Sequence, residues 1–265
     1  MMIHDFNPVL VDLGYLQIRW YSLAYIFGIL AGWKYGKFII KKQILNIDQN
    51  IFLKNFDDLI GYITIGVIAG GRIGYVIFYD PVFYLNNLGE IFKLWKGGMS
   101  FHGGFIGVII AIYFFSKLKK LNYKIYFDTV CCVAPIGIFL GRIANFINGE
   151  LYGIPTNKSW GIIFPNIDSL PRHPSQIYEA FLEGLILFII LNFLLRKKIL
   201  GKGIISSLFL ILYGVFRIIS EQFREPDSHI GYLFNQLSMG TTLSIIMVLL
   251  GSFFLSKIIF YEKNK

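Results

Sequence analysis

The 265-residue sequence is 55% hydrophobic, 17% aromatic and 15% charged, with a mean hydropathy of +0.60. A soluble domain carries about 25% charged residues, so there is too little polar side chain here to cover a soluble globule. The net charge of +9 would suit a nucleic-acid binder, but the basic residues are placed as membrane-topology signals and no nucleic acid is expected as a partner.

Seven apolar stretches follow one another at residues 18–40, 56–78, 99–116, 127–147, 174–195, 204–223 and 237–259. Each approaches the roughly 20 residues needed to cross a hydrocarbon core. None alternates strictly, so they are read as helices and not as barrel strands. The expectation is an all-α polytopic membrane protein of about seven transmembrane helices, built as one integral-membrane domain over residues 1–265. The first stretch is read as a span and not a cleaved signal peptide, since it lacks a basic N-region, is too long and has no small-x-small site behind it.

Lysine and arginine placement sets the orientation. On one side lie Lys34, Lys37, Lys41, Lys42 and Lys54, then Lys117, Lys119, Lys120 and Lys124, then Arg196, Lys197, Lys198 and Lys202, and finally Lys257, Lys263 and Lys265. The other side holds only Arg19, Lys93, Lys96, Lys158, Arg172 and Arg224. The rich side is cytoplasmic, which places the N-terminus outside the cytoplasm and the C-terminus within it. The excess also anchors the chain to anionic lipid heads. Two extracytoplasmic segments follow, residues 79–98 and 148–173. In the first, "PVFYLNNLGEIFKLWKGG" reads as interfacial and amphipathic. In the second, "GELYGIPTNKSWGIIFPNIDSLPRHPSQ", rich in Gly, Pro, Asn and Ser, reads as a folded loop too long for a simple connector.

Polar residues collect in the outer halves of six spans: Tyr21 and Tyr25, Arg72, His102, Arg142 with Asn145, Gln176 with Glu179 and Glu183, and Tyr213 with Arg217 and Glu221. Intramembrane ionisable groups are costly and mark function by default. Few comparable groups occupy the inner halves; Asp57, Asp58 and Asp128 stand at the inner ends. Tyr213, Arg217, Glu221 and roughly Arg224 recur every three or four residues and share a helix face. The pattern implies one polar cavity opening to the extracytoplasmic side, and small residues (Gly28 and Gly32, Gly70 and Gly71, Gly103, Gly104 and Gly107) allow close helix approach around it.

Arginine grips phosphate through a planar fork and stays charged when desolvated, so a lipid phosphate is the natural anion at that depth. Arg217 and Glu221, one turn apart, fit a purely structural ion pair equally well. Arg72 and Arg142 have no acid one turn away in their own spans, and Glu179 and Glu183 are the candidate cross-helix partners for whichever arginine lacks phosphate. His102 is a candidate general base, or a hydrogen-bonded packing residue. Tyr25 suits an interfacial aromatic. No histidine pair has metal-ligand spacing, and no metal or cofactor is expected. Cys131 and Cys132 are adjacent and cannot form an ordinary disulfide. An anionic-solute transporter would also use arginines, but it should carry polar groups through both halves of the membrane; a scaffold would not explain the charges.

The stretch "GRIANFINGELYG", residues 141–153, resembles the signature of the bacterial prolipoprotein diacylglyceryl transferases. So do "GGRIGYVIFY", "GGMSFHGGFIGV", "RHPSQIYEA" and "YGVFRIISEQFREPD", in the family's order and across most of the chain. The resemblance implies a seven-span enzyme of the bacterial inner membrane, with its active site facing the periplasm. Such an enzyme transfers diacylglyceryl from phosphatidylglycerol to the lipobox cysteine in the signal peptide of a preprolipoprotein, forming a thioether and releasing glycerol phosphate. It implies functional roles for Tyr21, His102, Arg142, Asn145, Gly153, Tyr213 and Arg217, with Arg72 and Glu150 in supporting positions. His102, Arg142, Arg217, Tyr21 and Tyr213 are thus the expected catalytic set. Arg142, Asn145, Glu150, Gly153, Arg72 and Glu221 are the expected substrate-binding set. The thiol that attacks belongs to the substrate, so the enzyme needs no cysteine of its own. Whether His102 takes the thiol proton, or the arginines lower the thiol pKa enough without it, stays open at this level.

Overall fold

The computed structural model describes residues 2–15, 17–44, 49–94, 97–226, 232–233 and 237–264, with backbone alone at 101, 232 and 233. Lys96, Lys265 and Asp227, which figure in the charge pattern and motifs above, and Trp95 of the interfacial stretch lie outside the described residues. Helix dominates. Long helices run over α1 (Trp20–Gln43), α2 (Gln49–Phe78), α4 (Phe101–Leu118), α5 (Tyr123–Asn148), α8 (Ile204–Glu221) and α9 (Met239–Lys263), with a short α3 (Pro81–Asn86) after α2. The fifth expected span, Ser175–Lys197, is composite. It begins as α6 (Ser175–Glu179), passes through a π-helical stretch (Ala180–Ile186), continues as α7 (Leu187–Leu194) and closes in a 3₁₀ turn (Leu195–Lys197).

Among the described residues, six helices are long and apolar enough to cross a membrane, and a shorter apolar helix, His102–Leu118, stands where the remaining expected span lies. At 1.5 Å per residue the 18-residue α4 is roughly 27 Å long, close to a hydrocarbon core. The all-α polytopic reading holds, with one addition. Short strands occur outside the spans: β1 (Met2–Ile3), β2 (Val9–Asp12), β3 (Gln17–Arg19), β4 (Ile162–Ile163), β5 (Pro171–Arg172), β6 (Tyr232–Leu233) and β7 (Leu237–Ser238). They form a three-stranded sheet in the order β1-β4-β5 and two two-stranded ribbons, β2-β3 and β6-β7. Strand β3 occupies residues that the hydropathy reading gave to the first span, because apolar Ile18 pairs in the β2-β3 ribbon and the helix begins at Trp20.

The chain separates into two compact units, Lys37–Phe127 and Met1–Gly36 with Asp128–Lys265. In the first, α2 and α4 lie with their backbones almost in contact. A Cβ added at Gly66 would stand 2.6 Å from the Gly107 carbonyl oxygen, and one at Gly74 would stand 2.7 Å from the Gly103 Cα. Gly66, Gly70 and Gly74 recur every four residues and form the stripe that admits the facing glycines of α4. Phe52, Phe56, Leu59, Ile112, Phe115 and Tyr126 fill the core at the far end of this pair, with Phe115 edge-on to Tyr126 at 6.0 Å. Gly70→Ala is expected to destabilise this unit by about 1–3 kcal/mol through overpacking, seen as a lower unfolding temperature of the detergent-solubilised protein. An unchanged temperature would mean that the two helices can part at no cost.

In the second unit, Gly28 of α1 meets Gly137 of α5, where a Cβ would stand 3.1 Å from the Gly137 Cα. Gly214 and Gly251 set the approach of α8 and α9. Gly184, within the π stretch, lets that backbone close on Phe139 of α5, one turn before Arg142. Buried Asp128 ties α5 to the start of α8. Its carboxylate accepts from the backbone N–H groups of Gly201, Gly203 and Ser206 and from the Ser206 hydroxyl. The Ser206 amide, in the first turn of α8, is a helix-start donor that would otherwise lack an acceptor.

Candidate active site

Three helices of the second unit bring their charges together. Glu179, at the end of α6, is fully buried. Its Oε2 accepts from Arg142 Nε at 2.9 Å and from Arg217 Nη1 at 2.7 Å, and its Oε1 lies 3.8 Å from Arg224 Nη1. Glu183, one turn further on and also fully buried, faces Arg142 Nη2 and Arg217 Nη1, both at 3.4 Å, and accepts from the Ser220 hydroxyl at 2.9 Å. Arg217 Nη2 meets Glu221 Oε2 at 2.6 Å. The Ser238 hydroxyl, which also caps α9, donates to Glu221 Oε1 at 2.9 Å. Tyr213, buried one turn before Arg217, faces the charges of Arg142, Arg217, Glu179 and Glu183, and its ring stacks on Phe209.

The sequence separates Arg142, Glu179 and Arg217 by dozens of residues, yet both guanidiniums reach a single carboxylate oxygen. Two cations so close repel, and each buried ion costs several kcal/mol of lost hydration. Glu179 and Glu183 offset both terms. Three arginines and three glutamates make the cluster formally neutral, so its charges are mutually compensated before any anion arrives. The Arg217–Glu221 pair is present, but it is one edge of a network and not a self-contained helical pair.

A second group lies one turn along α5. Buried Asn145 donates to Glu150 Oε1 at 2.8 Å, and Asn148 to the same oxygen at 3.3 Å. Gln176 holds the Glu150 carbonyl at 2.7 Å. The Tyr21 hydroxyl, 3.3 Å from that of Tyr25, also hydrogen-bonds Asn145 and feels the Glu150 charge. Tyr21, Asn145 and Glu150 therefore form one constellation, to which Tyr25 belongs by contact.

Gly153 takes its place through the backbone. Its N–H donates to the His173 carbonyl at 3.0 Å, and its carbonyl accepts from Arg172. A Cβ there would strike the His173 and Phe223 carbonyl oxygens, so no other residue fits between those two segments. Arg172 organises the surrounding loop. It pairs with Asp168 at 2.6 Å and Glu225 at 3.1 Å and lies over the Tyr152 ring. The sequence reading counted Arg172 as a topology charge and as the first residue of a family-like block, without a role in the site; its spacing of four residues from Asp168 was the available signal.

This loop carries a pH dependence outside the spans. The hydrogen bond from Arg172 holds the Asp168 carboxyl below its usual range, and burial, helped by Lys158, pushes the His173 imidazole down. Both groups bind protons more weakly when folded, so their contribution is present above the unfolded pKa and lost as pH falls. Acidification should loosen the loop first below about 6.5, as His173 charges, and again below about 3.9, as Asp168 is protonated. Trp160 donates to the Tyr178 hydroxyl, which lies 3.1 Å from His173 Nδ1. The difference in emission between the native protein and Trp160→Phe should report the first step, and a flat difference from pH 8 to 5 would contradict it.

Arg72 and His102 belong to the other unit. His102 is half-buried in the first turn of α4, whose N-cap is Ser100, with the Ser100 hydroxyl accepting from Gly103 N–H at 3.2 Å. Arg72 meets carbonyls throughout: Ile91 at 2.8 Å, Glu90 at 2.6 Å, Gly97 at 2.5 Å, Gly98 at 3.1 Å and Lys93 at 3.4 Å. The absence of an acid one turn away, which drew attention to Arg72 in the sequence, is answered by backbone oxygens.

A family model described as prolipoprotein diacylglyceryl transferase matches residues 8–257. A relative from Rickettsia felis is 52% identical over 255 residues, covering 96% of this chain and 97% of its own. Others from Rickettsia bellii and Rickettsia typhi are each 51% identical, over 259 and 260 residues, with 97% of this chain covered and 97% and 99% of theirs. All three carry the name phosphatidylglycerol–prolipoprotein diacylglyceryl transferase. With the match running almost from end to end, the chain belongs to the prolipoprotein diacylglyceryl transferase family.

Proposed function

We propose that this protein is a transferase that moves the diacylglyceryl group of phosphatidylglycerol onto a prolipoprotein, the first step of bacterial lipoprotein maturation. The acceptor is the thiol of the lipobox cysteine in the signal peptide. The enzyme works in the bacterial inner membrane with its site toward the periplasm, an orientation supported by the lysine and arginine asymmetry. The observation that carries the reading is the pair of guanidiniums, Arg142 and Arg217, converging on Glu179 Oε2.

The substrate sulfur attacks the glyceryl carbon that bears the phosphate ester. The C–S bond forms as the C–O bond breaks, and the electron pair leaves with glycerol phosphate. The phosphodiester starts with one negative charge, and a second develops on the departing oxygen. Two fixed guanidiniums are worth most where charge grows, so they favour the transition state over bound lipid. Glu179 and Glu183 keep the arginines at fixed spacing before substrate arrives, and Tyr213 and Glu221 complete that wall. Asn145, Glu150 and Tyr21 orient the glycerol end, Gly153 holds the loop beside them, and the thiol proton passes to the His102 imidazole.

Purified protein incubated with phosphatidylglycerol vesicles and a lipobox peptide should yield the thioether peptide and glycerol phosphate in equal amounts. A cysteine-to-serine peptide should yield neither. Glycerol phosphate released without peptide modification would sink the transfer reading. For the base, His102→Gln should lower kcat by about 10²–10⁴-fold and remove one limb of the pH profile. Full activity with an ordinary profile would exclude His102 from that step.

A further inference from the structure

Arg72 is 3% exposed, and a guanidinium has five N–H groups. Five backbone carbonyls surround it: those of Glu90, Ile91 and Lys93 on one side and of Gly97 and Gly98 on the other. The Tyr84 ring lies 5.2 Å from its centre. All three of its nitrogens donate to these peptide oxygens, whose dipoles replace a counter-ion, and no fork is left for a phosphate.

The local sequence is built to make those oxygens available. Gly97 and Gly98 have φ of +79° and +82°, the left-handed region that disfavours side chains. A Cβ at Gly98 would stand 2.8 Å from Arg72 Nη1. Two residues later the Ser100 N–H donates to the Gly71 carbonyl at 2.8 Å, and the Ser100 hydroxyl caps α4. Arg72 and Gly71 thus grip the chain on either side of Met99, and the first helical turn after this grip carries His102.

We infer that Arg72 is a positioning residue, not a lipid ligand: its guanidinium organises residues 90–93 and 97–98 and thereby sets the start of α4 and the direction of His102. The inference rests on the transfer reading for its kinetic consequence, but its structural half is measurable without turnover. Lysine has three donors at one point and cannot span five carbonyls. In Arg72→Lys, amide exchange in peptides covering Glu90 to Lys93 and Gly97 to Ser100 should accelerate at least about tenfold. Its kcat should fall while KM for phosphatidylglycerol stays within about twofold.

Gly97→Ala supplies the second arm. A Cβ there meets nothing within 4 Å, so the substitution strains the turn without touching the guanidinium. It should reproduce faster exchange and lower kcat at unchanged KM, and it decides the matter even if Arg72→Lys fails to fold. Unchanged exchange with raised KM in Arg72→Lys, or normal kinetics in a Gly97→Ala protein whose exchange has accelerated, would overturn the inference. Loss of transfer activity by the native protein would leave the exchange result standing and strike the transfer reading alone.

Discussion

Arg217→Lys is expected to fold, insert and keep its contact with Glu179, yet lose about 10²–10³-fold in kcat, or roughly 2.7–4 kcal/mol of transition-state stabilisation. Lysine preserves the charge that Glu179, Glu183 and Glu221 need, so the buried acids are not stranded. It cannot preserve the fork. In the native protein one nitrogen of Arg217 serves Glu179 and Glu183 and the other serves Glu221. A point charge drawn toward Glu179 cannot also hold Glu221 and meet a phosphate oxygen. The check is a transfer assay on Arg217→Lys beside a thermal unfolding curve. Near-native kcat in a well-folded variant would show that the fork does no work in the chemistry.

Glu179→Gln is expected to damage the protein itself. Glu179 is fully buried, and three guanidiniums, those of Arg142, Arg217 and Arg224, lie around its carboxylate. Neutralising it leaves three cations to share Glu183 and Glu221, and breaking a buried pair in this way costs about 3–5 kcal/mol. The unfolding temperature in detergent should fall sharply. Adding Arg142→Gln should recover part of that loss, because one excess charge leaves with it, while activity stays absent. If the double variant is no more stable than Glu179→Gln, the cost was not electrostatic.

Much of the fold was legible because lipid imposes a simple rule. A helix that must satisfy its own backbone in hydrocarbon shows itself as a long apolar run, and the seven stretches lie on the observed helices to within a few residues, apart from α2, which starts at Gln49. The strands were not legible. Met2–Ile3 and Ile162–Ile163 are two-residue elements whose pairing depends on chain segments far apart in sequence, and no periodicity fits into two residues. The site was visible in part. Arginines and glutamates inside apolar runs announce themselves, and Glu179 and Glu183 could be seen as cross-helix partners. That one oxygen of Glu179 serves both Arg142 and Arg217 is a matter of tertiary packing, in which Gly184 lies against Phe139, and side-chain spacing does not encode it. Arg72 shows the limit most plainly. Its partners are carbonyls, which every residue has, so the sequence marks an unpaired charge and stays silent about what satisfies it. The two left-handed glycines at 97 and 98 were the only trace.

In the proposed reaction a lipid phosphate is held by Arg142 and Arg217, beside the Glu179 carboxylate that they share. Solid-state NMR of the ¹⁵N-arginine-labelled protein in phosphatidylglycerol bilayers measures that contact through ³¹P–¹⁵N dephasing. A hydrogen-bonded guanidinium nitrogen should stand about 4 Å from phosphorus. The account predicts short-range dephasing in the native protein that disappears in the Arg142→Lys, Arg217→Lys double variant and persists in Arg72→Lys. Dephasing that survives loss of both forks, or vanishes with Arg72 alone, would contradict it.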